Sequence, residues 1–437
     1  MAKTIQPRVL KGFRDFLPDK EIARKNLIRS LEDHFISYGY VPIDTPSLEY
    51  TEILLSKGGG ETDKQTYRFT DHGGRDVALR FDLTVPFARF VAANRNNLPM
   101  PFKRFHIGKV WRGENTQRGR YREFIQCDFD IVGTDSAASD LEIMLMMHYG
   151  LKAIGAGEST IRFNHRGIFN LLLDKIGISG KTADVLRIVD KLQKIGIEEV
   201  GRQLAELTGN SGKDILLDFI TPGKDNRSTL NKMLELSGAG GSSEAIRLET
   251  VLSVTEEIGI AGNFQLDPSI TRGLDYYTGI VFETFLNDLP SLGSVCSGGR
   301  YDNLTGLFMK EPLSGVGASI GLDRLISGLE ELGQINSRKS LTEIIIFMLD
   351  EKMLPQYQKY ADFLRTKGFS VEVYPDQKKL GTQFKYAENK DIPLALIAGE
   401  EEKQKGTVNL KNLSTRENFE NITLEEAGKK AFEILGK

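Results

Sequence analysis

A chain of 437 residues, 40% hydrophobic and 27% charged, has room for two or three soluble domains, each with its own core. Its formal net charge of −3 excludes a generally basic nucleic-acid coat and leaves only local basic patches to meet a polyanion. Two cysteines far apart, Cys127 and Cys296, exclude a disulfide framework and a zinc knuckle and fit a reducing cytoplasm, while no apolar run predicts a signal peptide or a membrane span.

In chain order, Ile28, Leu31, Phe35 and Tyr38 recur at helical spacing and predict a helix over 18–38, with Asp19 as a possible cap. GYVPIDTPSLE is strand-like but carries Pro42 and Pro46, which suits a sheet edge or an interface. Residues 77–81 read as a strand, and 82–93 as a turn into a helix. Strands over 103–113 and 121–133 form an antiparallel hairpin across a charged loop. In the second strand Cys127, Phe129 and Ile131 share the core face, and Gln126, Asp128 and Asp130 share the other, as acceptors lining an open pocket.

An apolar helix follows at about 140–154, then helical patterns separated by polar breaks from 167 to 262, read as an insertion between two halves of a sheet domain. Strand texture returns at 279–286 and 294–301, and GVGASIGLDRLISGL (315–329) reads as a Gly-rich strand entering a helix. After a linker at 331–340, strands and helices alternate, the pattern of βαβ units in a parallel sheet, with a last helix at 423–436.

Three constellations carry chemistry. RGLDYYTGIVFE (272–283) combines Arg272 with adjacent phenols, Tyr276 and Tyr277, in a strand whose alternating faces cannot send both rings into one core. In the hairpin loop Arg112, Arg118, Arg120 and Arg122 converge with Glu114; guanidinium forks match phosphate or carboxylate, the alternative being a solvated loop with scattered ion pairs. VALRFDLTVPF sets Asp82 and Thr84 at a strand-to-helix junction, where helix capping and ligand binding are equally open. Arg324 sits just inside a helix start, either at a phosphate or as a surface residue paired with Asp323 or Glu330. No GxxxxGK[ST], no strand–GxGxxG–helix unit in the first half, no HExxH and no GxSxG is present.

Together these segments resemble the histidyl-tRNA synthetases, a family of class II aminoacyl-tRNA synthetases. GYVPIDTPSLE is similar to class II motif 1, FHIGKVWRGENTQRGRYREFIQCDFDIVG to motif 2, and GVGASIGLDRL to motif 3. RGLDYYTGIVFE and CSGGRYDNL (296–304) resemble the two histidine-specific motifs, and 381–413 resembles the family's anticodon-binding domain.

The resemblance implies an α+β fold: a class II catalytic domain on an antiparallel sheet with a helical insertion, plus a C-terminal α/β anticodon-binding domain. The expected divisions are 1–166 and 263–332 for the catalytic domain, 167–262 for the insertion and 341–437 for the anticodon-binding domain. It implies a cytoplasmic homodimer that takes L-histidine, ATP with Mg²⁺, and tRNA(His), with no dedicated metal cage and no membrane. Arg112 and Arg272 are the expected catalytic pair at the α-phosphate, while Glu114, Arg120, Arg122, Phe124 and Arg324 join Arg112 at ATP. Asp82, Leu83, Thr84, Arg112, Gln126, Asp130, Arg272, Tyr276, Tyr277 and Tyr301 are expected at histidine, with Asp130 and Tyr277 on the imidazole nitrogens.

The chain has Asp82-Leu83-Thr84 where many bacterial members have Glu-Gly-Thr, and Asp130 where many have glutamate, as in the eukaryotic-type branch. The rival readings are a synthetase-like regulatory subunit of histidine biosynthesis and a non-catalytic tRNA-binding or signalling module, such as the synthetase-like part of a stress kinase. The intact ATP motifs and the C-terminal segment weigh against the first, and the lack of any kinase motif set against the second.

Overall fold

The computed structural model describes residues 4–55, 61–271, 277–335 and 337–437. The chain divides into two compact units, one of Leu27–Ile335 with the residues before Phe16, the other of Phe16–Asn26 with Asn336–Lys437.

The larger unit is built on an eight-stranded sheet. Its strands are β1 (Val41–Pro42), β2 (Phe102–Trp111), β3 (Glu123–Val132), β4 (Ser159–His165), β5 (Phe264–Leu266), β6 (Ile280–Leu286), β7 (Cys296–Tyr301) and β8 (Gly315–Gly321). The order across the sheet is β1-β2-β3-β8-β7-β6-β4-β5. The two outermost pairings are parallel, and every pairing from β2 through to β4 is antiparallel.

Residues paired across antiparallel strands point to the same face. Phe105, Cys127, Phe129, Ile131, Val316, Ala318 and Ile320 therefore make one apolar face, and all belong to the main hydrophobic core. Three helices cover it, Pro18–Ser37 through Leu31 and Phe35, Ala137–Ala153 through Ile143, Met144 and Met147, and Leu322–Glu331 through Leu325 and Leu329. Phe35 meets the rings of Phe129 and Phe105 with centroids 5.0 and 5.5 Å apart. Between β4 and β5 run five α-helices within 166–257. Their Phe169, Val185, Val200, Phe219 and Leu248 join the same core, so these helices share the sheet's interior.

The segment GYVPIDTPSLE is broken by its prolines into the two-residue edge strand β1 and a separate strand, Leu48–Tyr50. The latter joins Asp76–Leu79 and Arg68–Thr70 in a three-stranded sheet. Among the described residues of RGLDYYTGIVFE the strand begins at Ile280, after Tyr277; Arg272 and Tyr276 lie outside the described residues, and the opposite-face reading of the two tyrosines lies there with them.

The smaller unit holds a five-stranded sheet ordered Val371–Val373, Ile344–Ile346, Leu394–Ile397, Val408–Asn412, Asn418–Ile422. The first three strands are parallel, as the βαβ pattern predicts; the last two add antiparallel, which makes the sheet mixed.

A buried ion network ties β7 to the helices of the larger unit. Arg300 is 2% exposed and Asp140 fully buried, with Nε to Oδ1 at 2.8 Å. Arg247 Nη1 reaches the other oxygen of Asp140 at 2.6 Å, and Arg300 also donates to the Ser139 hydroxyl and the Thr134 carbonyl. Removing one partner of a buried pair strands the other, so Arg300→Met should cost about 3–5 kcal/mol in urea unfolding. A loss below about 1 kcal/mol, the size of an exposed pair, would mean that Arg247 alone satisfies Asp140.

Candidate active site

The opposite face of the sheet is polar, and its rows follow from the register. Arg104, Asp130, Gly317 and Gly299 form one row; His106, Asp128, Ser319 and Ser297 form the next; Gly108, Gln126 and Gly321 form a third. Small residues on β8 leave room for the large polar groups beside them. A Cβ on Gly317 would overlap the Asp130 carboxylate, and one on Gly315 would run into the Tyr301 ring.

Above this face lies a cavity of about 870 Å³, lined among others by Asp82, Thr84, Arg112, Glu114, Arg120, Gln126, Tyr277, Glu283 and Arg324. It extends to the helix Thr182–Val189 through Thr182, Leu186 and Arg187. A smaller pocket of about 140 Å³ shares Arg112, Glu114, Arg120, Gln126 and Arg324 and adds Tyr121 and Phe124.

Guanidiniums gather at this end. Arg112 lies over the rings of Phe81 and Phe124, 4.4 and 5.1 Å from their centroids, and its Nε donates to the Phe81 carbonyl at 3.1 Å. Arg120 stands 3.5 Å from Glu114. Arg324 donates to the Ser294 carbonyl at 2.7 Å; burial, with Arg120 and Arg112 nearby, pushes its pKa down to about 10. Like charges held this close favour an anionic ligand. Arg324 lines both pockets and is largely withdrawn from solvent, which does not suit a surface residue, and Asp323 pairs with Arg14. Arg122 departs from its expected place at ATP: it is not among the lining residues, and its Nε and backbone N–H bond the Glu114 and Gly12 carbonyls.

Acceptors gather on the floor. Asp82 Oδ1 accepts from the Thr84 and Val85 N–H groups at 3.1 and 3.0 Å, so it caps the helix Thr84–Asn94 and also lines the cavity. Burial raises its pKa. Leu83 is fully buried and does not line the cavity. Gln126 donates to Ser319 at 2.7 Å, and its Oε1 lacks a hydrogen bond.

Asp128 and Asp130 are placed differently from the open pocket that alternation predicts, and Tyr301 from the lining place that the resemblance implies. Asp130 is buried beneath the lining, where it accepts from the Tyr301 hydroxyl at 2.6 Å and lies 2.7 Å from Arg104 Nη2. Burial raises both pKa values. Sequence reasoning missed Arg104, His106, Arg166, Ser297, Ser319 and Glu283. The first two alternate in phase across β2, the signal that would have placed them opposite Asp130 and Asp128. Arg166 donates to the Tyr277 carbonyl at 2.6 Å and the Thr271 carbonyl at 3.0 Å, bracing the wall that carries Tyr277.

Residues 12–325 match the family model described as histidyl-tRNA synthetase, and residues 343–433 match that described as anticodon binding domain. The chain belongs to the histidyl-tRNA synthetase family. The histidine–tRNA ligase of Treponema denticola is 50% identical over 444 residues, covering 98% of this chain and 99% of the relative. That of Rhodopirellula baltica is 46% identical over 419 residues, covering 94% and 95%. The crystal structure of histidyl-tRNA synthetase from Nostoc sp. PCC 7120 is similar with a TM-score of 0.88 at 31% identity, over 99% of this chain and 100% of that one. The α+β fold that the motifs imply is thus the family's fold, with an anticodon-binding domain at the C-terminal end.

An N-terminal segment clamps the guanidinium end. Arg14 stacks on the Tyr121 ring at 3.3 Å and pairs with Asp323, whose other oxygen accepts from the Ile125 N–H at 2.7 Å. Gly12, at φ +88°, accepts from the Arg122 N–H at 2.8 Å, and a Cβ there would meet the Arg122 side chain at 2.7 Å. Arg14→Ala frees both the loop bearing Arg120 and the helix start bearing Arg324. Losing one charge-assisted contact should weaken ATP binding about tenfold, with histidine binding unchanged. Titrating each ligand separately decides it: an equal loss for both would show general unfolding of the site.

Proposed function

We propose that the chain is a histidine–tRNA ligase, which activates L-histidine with ATP and transfers the histidyl group to the 3′ end of tRNA(His). The observation that carries this is one cavity holding three guanidiniums, Arg112, Arg120 and Arg324, together with the acceptors Asp82, Thr84 and Gln126. A polyphosphate suits the first set and an amino acid the second.

In the first step a substrate carboxylate oxygen attacks the α-phosphorus of ATP. A carboxylate–phosphorus bond forms, the bond to pyrophosphate breaks, and histidyl-adenylate results. The substrate supplies the nucleophile, so the protein's work is alignment and charge neutralisation. Arg112, fixed between two rings, is suited to the α-phosphate, where Arg272 is its expected partner; Arg324 is suited to the γ-phosphate. Phe124 and Glu114 would flank the adenine. Mg²⁺ enters with ATP, and the oxygen donors of Glu114 and Glu283 fit a hard cation that takes most of its ligands from phosphate and water.

Asp82, Thr84 and Gln126 would hold the α-ammonium and carboxylate of histidine, and Tyr277 a nitrogen of the imidazole. Asp130, with Tyr301 and Arg104, backs that wall from below. A site that pairs an imidazole nitrogen disfavours side chains lacking it. In the second step a ribose hydroxyl of the terminal adenosine attacks the activated carbonyl carbon and AMP leaves. The Arg118 and Arg120 loop would meet the tRNA, with strong salt dependence.

A homodimer in the cytoplasm belongs to the same reading. Tyr50 and Phe69 flank Val77 in one row of the three-stranded sheet, both about half exposed, which supports a second copy as the cover. No helix among the described residues is long and apolar enough to cross a membrane.

The purified chain should catalyse histidine-dependent ATP–pyrophosphate exchange and charge tRNA(His), and should sediment at the mass of two chains. Arg324→Ala should lower exchange by about 10²-fold or more, the scale of removing one electrostatic stabiliser. Histidine binding without exchange would instead favour a regulatory subunit, and a single-chain mass would remove the dimer.

A further inference from the structure

We propose that Asp128 is a positioning residue for the amino-acid substrate, a buried negative charge beneath Thr84 that holds the α-ammonium. This inference rests on the histidine–ligase reading. Asp128 sits in the middle of β3, on the polar face between Gln126 and Asp130, and is 1% exposed. Its Oδ2 accepts from the Thr84 hydroxyl at 3.5 Å. Its Oδ1 makes no well-formed hydrogen bond; the neighbouring Ser319 hydroxyl accepts from Gln126 at 2.7 Å and keeps its own proton to turn toward Asp128. Gln126 Oε1, in the cavity wall, lacks a donor as well.

Asp128 shares its surroundings with two more buried carboxylates and with the guanidiniums of Arg104, Arg80 and Arg112. Asp82, Asp128 and Asp130 are all buried in one neighbourhood. From β2, Arg104 faces them but lies 2.7 Å from Asp130, and His106 is kept neutral, its pKa pushed down to about 3 by burial with Arg104 and Arg80 nearby. From the segment before the helix, Arg80 donates to the Lys109 and Thr45 carbonyls at 2.8 and 2.6 Å and lies 3.7 Å from Asp44. Burying a carboxylate without a full counter-charge is costly. Desolvation, with Asp130 and Asp82 adding to it against Arg104, brings the Asp128 pKa up to about 7.

Gln126 Oε1, a buried acceptor without a donor, and Asp128, a buried carboxylate served only by hydroxyls, suit a cation with several N–H donors. The α-ammonium of an amino acid supplies three. Seated at Thr84 and Gln126 it would satisfy Gln126 Oε1 directly and Asp128 through Thr84 and through space.

The test compares L-histidine with 3-(imidazol-4-yl)propionate, which keeps the side chain and carboxylate but has no ammonium. Calorimetric titration of wild type and of the near-isosteric Asp128→Asn separates the roles. The variant should lose on the order of tenfold in L-histidine affinity, the effect of about one pKa unit of charge interaction, and bind the des-amino analogue as the wild type does. Asp128→Ser should give the same contrast if the asparagine variant misfolds. Equal losses for both ligands, or no loss for either, would overturn the proposal. Wild-type protein that binds no L-histidine would instead sink the histidine–ligase reading.

Discussion

Arg104 carries its guanidinium into the middle of the large sheet with no solvent exposure, 2.7 Å from Asp130 and 4.1 Å from the Phe87 ring. A charge in that position persists only if paired, and its pairing sets the rest of the polar face. Through Asp130 it fixes the Tyr301 hydroxyl at 2.6 Å, and the Tyr301 ring fills the space left open at Gly315. Its field also reaches Asp82 and Asp128, where it offsets part of their burial. The sheet thus has an apolar face closed by helices and a polar face that buries several charges of both signs.

The cavity divides by chemistry. Guanidiniums cluster at Arg112, Arg120 and Arg324, and buried carboxylates at Asp82 and Asp128. A triphosphate and an amino acid are complementary to these two ends, and the ends are adjacent because Arg112 and Gln126 border both pockets. Reaction by alignment needs this adjacency more than it needs any one reactive side chain. The apolar core under the sheet, shared with the inserted helices, holds that floor at fixed register.

Much of this was legible in the sequence, for identifiable reasons. The β2–β3 hairpin is long and strictly alternating, so Gln126, Asp128 and Asp130 were assigned one face directly. Arg104 and His106 were not read as inward, because a charged residue in a strand looks solvent-facing until its partner strand and the small residues of β8 are known. For the same reason alternation alone points Asp128 and Asp130 into an open pocket, whereas both are buried beneath it. In the smaller unit the strands Val408–Asn412 and Asn418–Ile422 went unseen, since their asparagines, lysine and glutamate depress strand propensity. Capping against ligand binding at Asp82 could not be decided from sequence because the residue does the first while lining the cavity where the second would occur.

The central claim is that Asp128, buried beneath Thr84, answers the α-ammonium of the substrate. Asp128, with its pKa near 7, is partly protonated at neutral pH, and an adjacent ammonium lowers that value. Calorimetry of L-histidine binding at pH 7, in buffers of different ionisation heat, counts the protons exchanged. The account predicts net proton release beyond the small amount lost from the imidazole of free histidine; no release, or net uptake, would contradict it.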